Sequence, residues 1–411
     1  MAASRRGRRP PARGRRGWPV AALAALGLLL ACHRPPPPAV AVWFHTGQPA
    51  ERALLERQVA RYNAGQPPLP VRLTLLPEGS YHAQVQAAAA AGELPDLFEV
   101  DGPYLARYVW QGAVRPLEAL LPPAVVADLL PSLRLQGRVA GHLYGVGCFD
   151  SGLGLYADRA ALARVGARLP AGPQEAWSAS EMEAVLARLA ARDPDGAVLD
   201  LKLNLHGEWE SYAFLPLLVS AGGGVLDPAT GRATGFLDGA ASVRALATVQ
   251  RWIRRGWVDP NLDDAAFPQR RVALAWGGHW DYHRYREALG EDLALLPLPD
   301  FGEGSRTGMG SWQWVIAAAS PRAEAAAAFL AFLLRPEEVA ATAAANGAVP
   351  GRIAAVARSP LYREGGPLRL FLTQLAGGVA VPRPATPAYP VITASFQRCF
   401  EAVRDGADPA A

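Results

Sequence analysis

Apolar and polar positions alternate in a helix-like period in some stretches of the chain and in a strand-like period in others, and the two kinds take turns. Ala39-Val-Ala-Val-Trp-Phe-His-Thr46 is β-branched and aromatic, as a strand should be, and Gly47 to Pro49 end it. Ala50–Asn63 follows with Leu54, Leu55, Val59 and Tyr62 at helical spacing. Val71–Leu76 predicts a second strand, and Tyr81–Ala91 a second helix that stops at Gly92. Pro95 cannot continue a helix, so Leu97-Phe-Glu-Val100 begins a buried strand, and Asp101-Gly102 turns into helical sequence over 103–110. Strand, helix, strand, helix, strand predicts parallel strands with helical crossovers. In such a sheet ligands collect beyond the carboxyl ends of strands, which is where His45 and Asp101 fall.

Further on the pattern continues. Gly152–Tyr156 reads as a strand and 158–165 as a helix, while Ser178 and Glu181 are spaced as a capping box. Residues 199–205 suit a strand, 208–220 and 238–256 helices, and 272–275 a strand. The prolines of Leu293–Pro299 suit an edge, and Gly310–Ala317 predicts another strand. Helices follow over 322–334, 336–345, 368–375 and 391–404. At 411 residues two domains or lobes are expected.

The first 31 residues stand outside this pattern. Seven arginines precede an apolar run from Pro19 to Ala31, too short to span a bilayer, and Leu29-Leu-Ala-Cys32 ends it. That ending resembles the bacterial lipobox, in which the cysteine is lipidated and becomes the new N-terminus, so Cys32 is the expected anchor and 1–31 the expected signal peptide. Residues 32–40, with Pro35 to Pro38, make a stiff tether. The leader also carries the chain's basicity. Without it 34 basic residues face 37 acidic ones, and no nucleic-acid partner follows. Cys148 and Cys399 lie far apart in sequence and are expected to be free thiols.

Several landmarks then agree in order and spacing. Gly92-Glu-Leu-Pro-Asp96 before a strand, Tyr144-Gly-Val146, Tyr156-Ala-Asp158, Trp177 with Glu181, Gly222-Gly223, Leu296-Pro-Leu-Pro299 and Gly347-Ala-Val-Pro350 together resemble the extracellular solute-binding proteins of ABC transporters, in the sugar-binding group that includes maltose-binding protein. The resemblance covers 41–404, and Asp150-Ser151 departs from the family's more apolar hinge sequence. It implies a type II periplasmic binding protein fold: two α/β lobes joined by a three-segment hinge, with a ligand cleft between them. By analogy lobe 1 spans 41–149 and 281–318, and lobe 2 spans 150–280 and 319–411. Crossings are expected near 148–152, 278–282 and 317–321.

The same resemblance implies a monomeric lipoprotein, outside the cytoplasmic membrane, that hands a carbohydrate to permease and ATPase subunits. No cofactor is expected. Sugar recognition needs aromatic faces and a few placed polar groups. The candidates are His45, Asp101, Asp150, Glu208, Trp209, Tyr212, Trp280, Trp312 and Tyr389. Trp314 shares Trp312's face by period two, and one of the pair is expected in the core. Asp101 could equally be a turn residue or helix cap. His279 and His283 are four apart with no third ligand nearby, so no metal site is expected there. Two other readings stay open: a non-sugar solute bound by the same fold, and a glycoside-cleaving enzyme using Asp101 and Asp150 as its carboxylate pair. No phosphate loop or activated nucleophile supports an enzyme, since Gly222-Gly-Gly224 lacks a following Lys-Ser/Thr.

Overall fold

In a computed structural model the structure describes residues 38–411. The leader, Cys32 and most of the proline tether lie outside them.

The predicted alternation builds the first sheet. Strands β1 (Val40–His45), β2 (Val71–Leu76) and β3 (Leu97–Asp101) run parallel, and the strand Trp312–Ile316 pairs antiparallel with β3, in the order Trp312–Ile316, β3, β1, β2. Helices Pro49–Ala64 and Glu78–Ala91 make the crossovers. The second of these ends at Gly92 in the left-handed conformation (φ 71°), which a residue without Cβ adopts freely. All five residues of β3 are buried, because the sheet is covered on both faces. One face packs Leu97, Val40 and Val42 against Phe329 and Leu330; the other packs Val100, Phe98 and Tyr81.

A second sheet is mixed. Its order is Leu293–Leu296, Leu153–Asp158, Leu274–Gly278, Leu199–Asp200, with only the last pair parallel. Helices Ala179–Ala190, Glu208–Ser220, Ala240–Arg254 and Tyr389–Arg404 contribute to its core, which holds Trp177, Phe214, Trp252, Trp276 and Phe400. Ser178 caps its helix as its spacing predicts, accepting from the Glu181 amide at 3.1 Å.

The lobe partition needs two corrections. Leu293–Leu296, expected in lobe 1, pairs with Leu153–Asp158 at the edge of the second sheet, so the chain returns to the first sheet only between Met309 and Trp312, not near 278–282. Helices Ala323–Leu333 and Pro336–Asn346, expected in lobe 2, pack with the first sheet, the former through Ala323, Phe329 and Leu330 and the latter against helix Pro49–Ala64, where Gln58 donates to Glu338. The connection after Ile316 is short, and it returns the next helix to the sheet just left. The third crossing therefore falls at Val349–Pro350, which pairs antiparallel with Phe149–Asp150, rather than at 317–321.

Candidate functional site

Between the two sheets opens a cavity of about 710 Å³, large enough for an oligosaccharide-sized solute. Its first wall grows from strand ends. His45 and Asp101 close β1 and β3, and the antiparallel register sets Trp312 directly opposite Asp101, so all three reach one edge of the sheet. Trp312 stacks on His45 at 3.9 Å between ring centres and on His82 at 5.4 Å, and His82 stacks on Tyr104 at 4.4 Å. Four rings thus form a continuous aromatic column. Trp314 is the buried member of its pair, packed in the core beside Phe44.

The opposite wall comes from the second sheet and the helix Glu208–Ser220. Gly207 precedes that helix at φ 78°, which brings Glu208, Trp209 and Tyr212 round to the cleft. Trp280 follows Leu274–Gly278 and lies 6.2 Å from Trp209 and 6.1 Å from Tyr212 between ring centres. A side chain at Gly278 would collide with the Trp280 ring at 2.2 Å, so glycine is required for that placement. Trp209 donates to the Leu201 carbonyl at 3.1 Å and Tyr212 to Ser151 Oγ at 3.0 Å, which fixes both rings.

Charge gathers where the walls meet. Arg383, 8 % exposed, donates to both oxygens of Asp101 at 2.7 and 2.6 Å and to Glu208 Oε2 at 2.7 Å. Its guanidinium lies 5.1 Å over the Tyr212 ring. Glu208 also accepts from Tyr104 at 2.8 Å and from Tyr389. Burial opposes the Arg383 charge, but Asp101, Tyr389 and Glu208 outweigh it and hold the group well above its ordinary value.

Seven of the candidates line the cavity: His45, Asp101, Glu208, Trp209, Tyr212, Trp280 and Trp312. Two do not. Tyr389, expected in a loop facing the cleft, is the first residue of helix Tyr389–Arg404, fully buried behind Glu208, and its neighbour Pro390 reaches the cavity instead. Asp150, expected to present a free carboxylate, is fully buried in the hinge strand that pairs with Val349–Pro350. Gln136 Nε2 donates to both its oxygens at 3.1 Å and the Ser151 amide to one at 2.8 Å, and burial lifts its carboxyl to about 6. Phe149 and Ser151 take the cleft-facing places. With Asp150 turned away, Asp101 and Asp150 do not face one another across the cavity as a glycosidase pair would.

His279 Nδ1 meets the Asn346 carbonyl at 2.9 Å and His283 Nε2 meets that of Ala344 at 3.1 Å, so both rings are directed at backbone. Burial lowers His279 to about 4, leaving it neutral across the physiological range. Cys148 and Cys399 are free thiols. Sequence reasoning missed His82, Tyr104 and Arg383. Only Arg383 carried a usable signal, a lone arginine clasped by Pro382 and Pro384.

A family model described as bacterial extracellular solute-binding protein matches residues 57–365. An uncharacterized lipoprotein from the oleD 5' region of Streptomyces antibioticus is 28 % identical over 350 residues, spanning 80 % of this chain and 75 % of that one. Among solved structures, the GacH receptor of Streptomyces glaucescens GLA.O, determined unliganded and with acarbose, superposes with a TM-score of 0.77 at 22 % identity, covering 90 % of this chain and 94 % of that chain. A Thermotoga lettingae solute-binding protein bound with α-D-tagatose gives 0.76 at 21 % identity, covering 91 % and 96 %. The sugar-binding protein MalE of Xanthomonas citri gives 0.74 at 20 % identity, covering 90 % and 93 %. At these identities the three structures share the two-lobed fold with this chain.

Proposed function

The chain belongs to the bacterial extracellular solute-binding proteins, and from that premise we propose that it captures a carbohydrate in the interlobe cleft and delivers it to the permease and ATPase subunits of an ABC importer. The observation that carries the reading is the pair of aromatic walls. Trp312 and the His45–His82–Tyr104 rings face Trp209, Tyr212 and Trp280 across a cavity in which Asp101, Glu208 and Arg383 lie at the junction, with Glu51 and Glu78 also in its lining. Aromatic faces suit the C–H patches of a sugar, and carboxylates accept its hydroxyls in charge-assisted hydrogen bonds. Ligand binding draws the lobes together, and the closed form is what the permease meets. The relatives solved with acarbose and with tagatose support the same class of ligand.

The lipobox-like Leu29-Leu-Ala-Cys32 and the proline tether support anchoring of a monomer at an extracytoplasmic membrane surface through lipidated Cys32. Among the described residues no helix is long and apolar enough to cross a membrane.

A panel of mono- and oligosaccharides titrated calorimetrically tests the ligand class. At least one is expected to bind with micromolar affinity or better, and Trp312→Ala is expected to weaken it by about 2 kcal/mol, near thirtyfold. Binding of amines or peptides with no sugar bound overturns the carbohydrate reading, and hydrolysis of a glycoside overturns the transport reading. The mass of the mature N-terminus checks Cys32: a chain beginning elsewhere, or at an unmodified cysteine, removes the anchor.

A further inference from the structure

At the edge of the cleft, three side chains from two segments converge: His206, which itself lines the cavity, and Glu210 and Glu401, which are not among its lining residues. His206 precedes Gly207, Glu210 stands in the first turn of helix Glu208–Ser220, and Glu401 lies near the end of helix Tyr389–Arg404. Among the described residues they are the one trio of metal-ligating side chains whose donor atoms all fall within 4.8 Å of one another. His206 Nδ1 is 3.6 Å from Glu210 Oε1 and 3.5 Å from Glu401 Oε1. Two donors of a tetrahedral site with bonds of about 2.0–2.1 Å lie roughly 3.3 Å apart, so His206 already stands near ligating distance from each carboxylate.

A second observation points to a ligand. Glu210 is only 2 % exposed; its Oε1 faces His206, and its other oxygen, Oε2, is buried with no hydrogen-bond partner. A carboxylate buried with an unsatisfied oxygen beside a second carboxylate is costly unless something positive meets it. Glu401 has one neutral hydrogen-bond donor, Gln397 Nε2 at 3.1 Å; the Arg404 guanidinium is hydrogen-bonded to Asp405 at 2.8 Å and meets Glu401 and Glu210 only through space. The His206 side chain is 60 % exposed, which leaves an entry path and room for a water or exchangeable fourth ligand.

We propose that His206, Glu210 and Glu401 form a binding site for a divalent first-row transition ion, a three-ligand site with an open position at the rim of the cleft. One imidazole and two carboxylates, with no thiolate, suit Zn²⁺ among the available ions, and a larger all-oxygen cation such as Ca²⁺ is disfavoured by the nitrogen donor and the low ligand count. The ion would pin the segment before Gly207 to the C-terminal helix. The site is made by these three side chains and does not rest on the identity of the solute, although His206 also lines that cavity.

Titration of the purified, EDTA-stripped protein with ZnCl₂, followed by calorimetry and thermal unfolding without any sugar, tests this. One equivalent is expected to bind saturably and to raise Tm by about 2 °C or more at saturation. His206→Ala and Glu401→Gln are each expected to weaken Zn²⁺ binding at least about tenfold while leaving the metal-free Tm near that of the parent, since His206 is exposed and glutamine preserves the Gln397 contact in shape. Absence of saturable binding, binding that survives both substitutions, or Ca²⁺ binding as tightly as Zn²⁺ overturns the assignment.

Discussion

Asp101 and Asp150 pose the same problem at two places, and the fold solves it in two ways. Both were candidates for an exposed carboxylate in the cleft, and both are buried. Asp101, at the end of β3, meets a guanidinium in bidentate geometry, and Arg383 carries that charge on to Glu208. Asp150, in the hinge, meets only neutral donors, Gln136, Ser132 and its neighbour's amide, and burial lifts its carboxyl to about 6. The cleft thus keeps a network of charges that a polar ligand could rearrange. The hinge holds a single group that tends toward the neutral form. A carboxylate's use depends on what is buried with it.

The largest effect should come from removing the shared cation. Arg383→Ala leaves Asp101 and Glu208 facing each other with no counter-charge, and breaking one partner out of a buried pair costs about 3–5 kcal/mol. Urea unfolding at pH 7 measures it. A loss below about 1 kcal/mol would mean that Asp101 is solvated like a surface residue and that the contrast with Asp150 is lost.

The hinge gives a smaller and pH-dependent effect. Because the folded-state value of Asp150 lies above its ordinary 3.8, the folded protein favours the protonated form. The stability this contributes is fully present below about pH 4 and is lost as pH rises through 6. Asp150→Asn keeps the shape and does not titrate. Relative to the parent, the variant should gain on the order of 2 kcal/mol between pH 4 and 7, read from urea unfolding at several pH values. Glu99 and Asp281, which burial also raises, to about 7 and about 6, titrate in both proteins and cancel in the difference. Parallel pH profiles would show that burial in the hinge does not hold Asp150 toward its neutral form.

These two aspartates also mark how far the sequence could be read. The first sheet follows from short-range pattern: β1, β2 and β3 fall where apolar runs and glycine stops put them, and Asp101 reaches the cleft because it ends a parallel strand. Asp150 failed because two strand residues cannot reveal their partner, and Val349–Pro350 lies some two hundred residues away. Arg383 pairs across a separation of 282 residues with Asp101, a contact that no local period encodes. His82 was hidden for another reason: its place in the aromatic column depends on Trp312 and Tyr104 arriving beside it from distant segments. The misplaced crossings share this origin, since Leu293–Leu296 reads as an edge strand of either sheet until its antiparallel partner is known.

The smallest effect distinguishes a bond across the cleft from one within a lobe. Glu208 accepts from Tyr104 and from Tyr389, whose rings lie 5.3 Å apart and both pack in the first-sheet cluster, but Tyr389 is carried by the helix that packs against the helix of Glu208. Tyr104→Phe and Tyr389→Phe each remove one hydroxyl while Arg383 still neutralises the carboxylate, so each should cost only about 1–2 kcal/mol. Their consequences for shape should differ. The Tyr104 bond joins the two sides of the cleft, so its loss should shift unliganded protein toward an open form, seen as a larger radius of gyration by small-angle scattering. Tyr389→Phe should leave that radius unchanged, because its bond joins two neighbouring helices and phenylalanine keeps the ring packed against Tyr104. If both substitutions enlarged the molecule equally, Glu208 would be acting through the helix it begins rather than through the bridge to Tyr104. If neither did, the Arg383–Asp101 pair alone would be holding the cleft, and the contrast between the two aspartates would be sharper still.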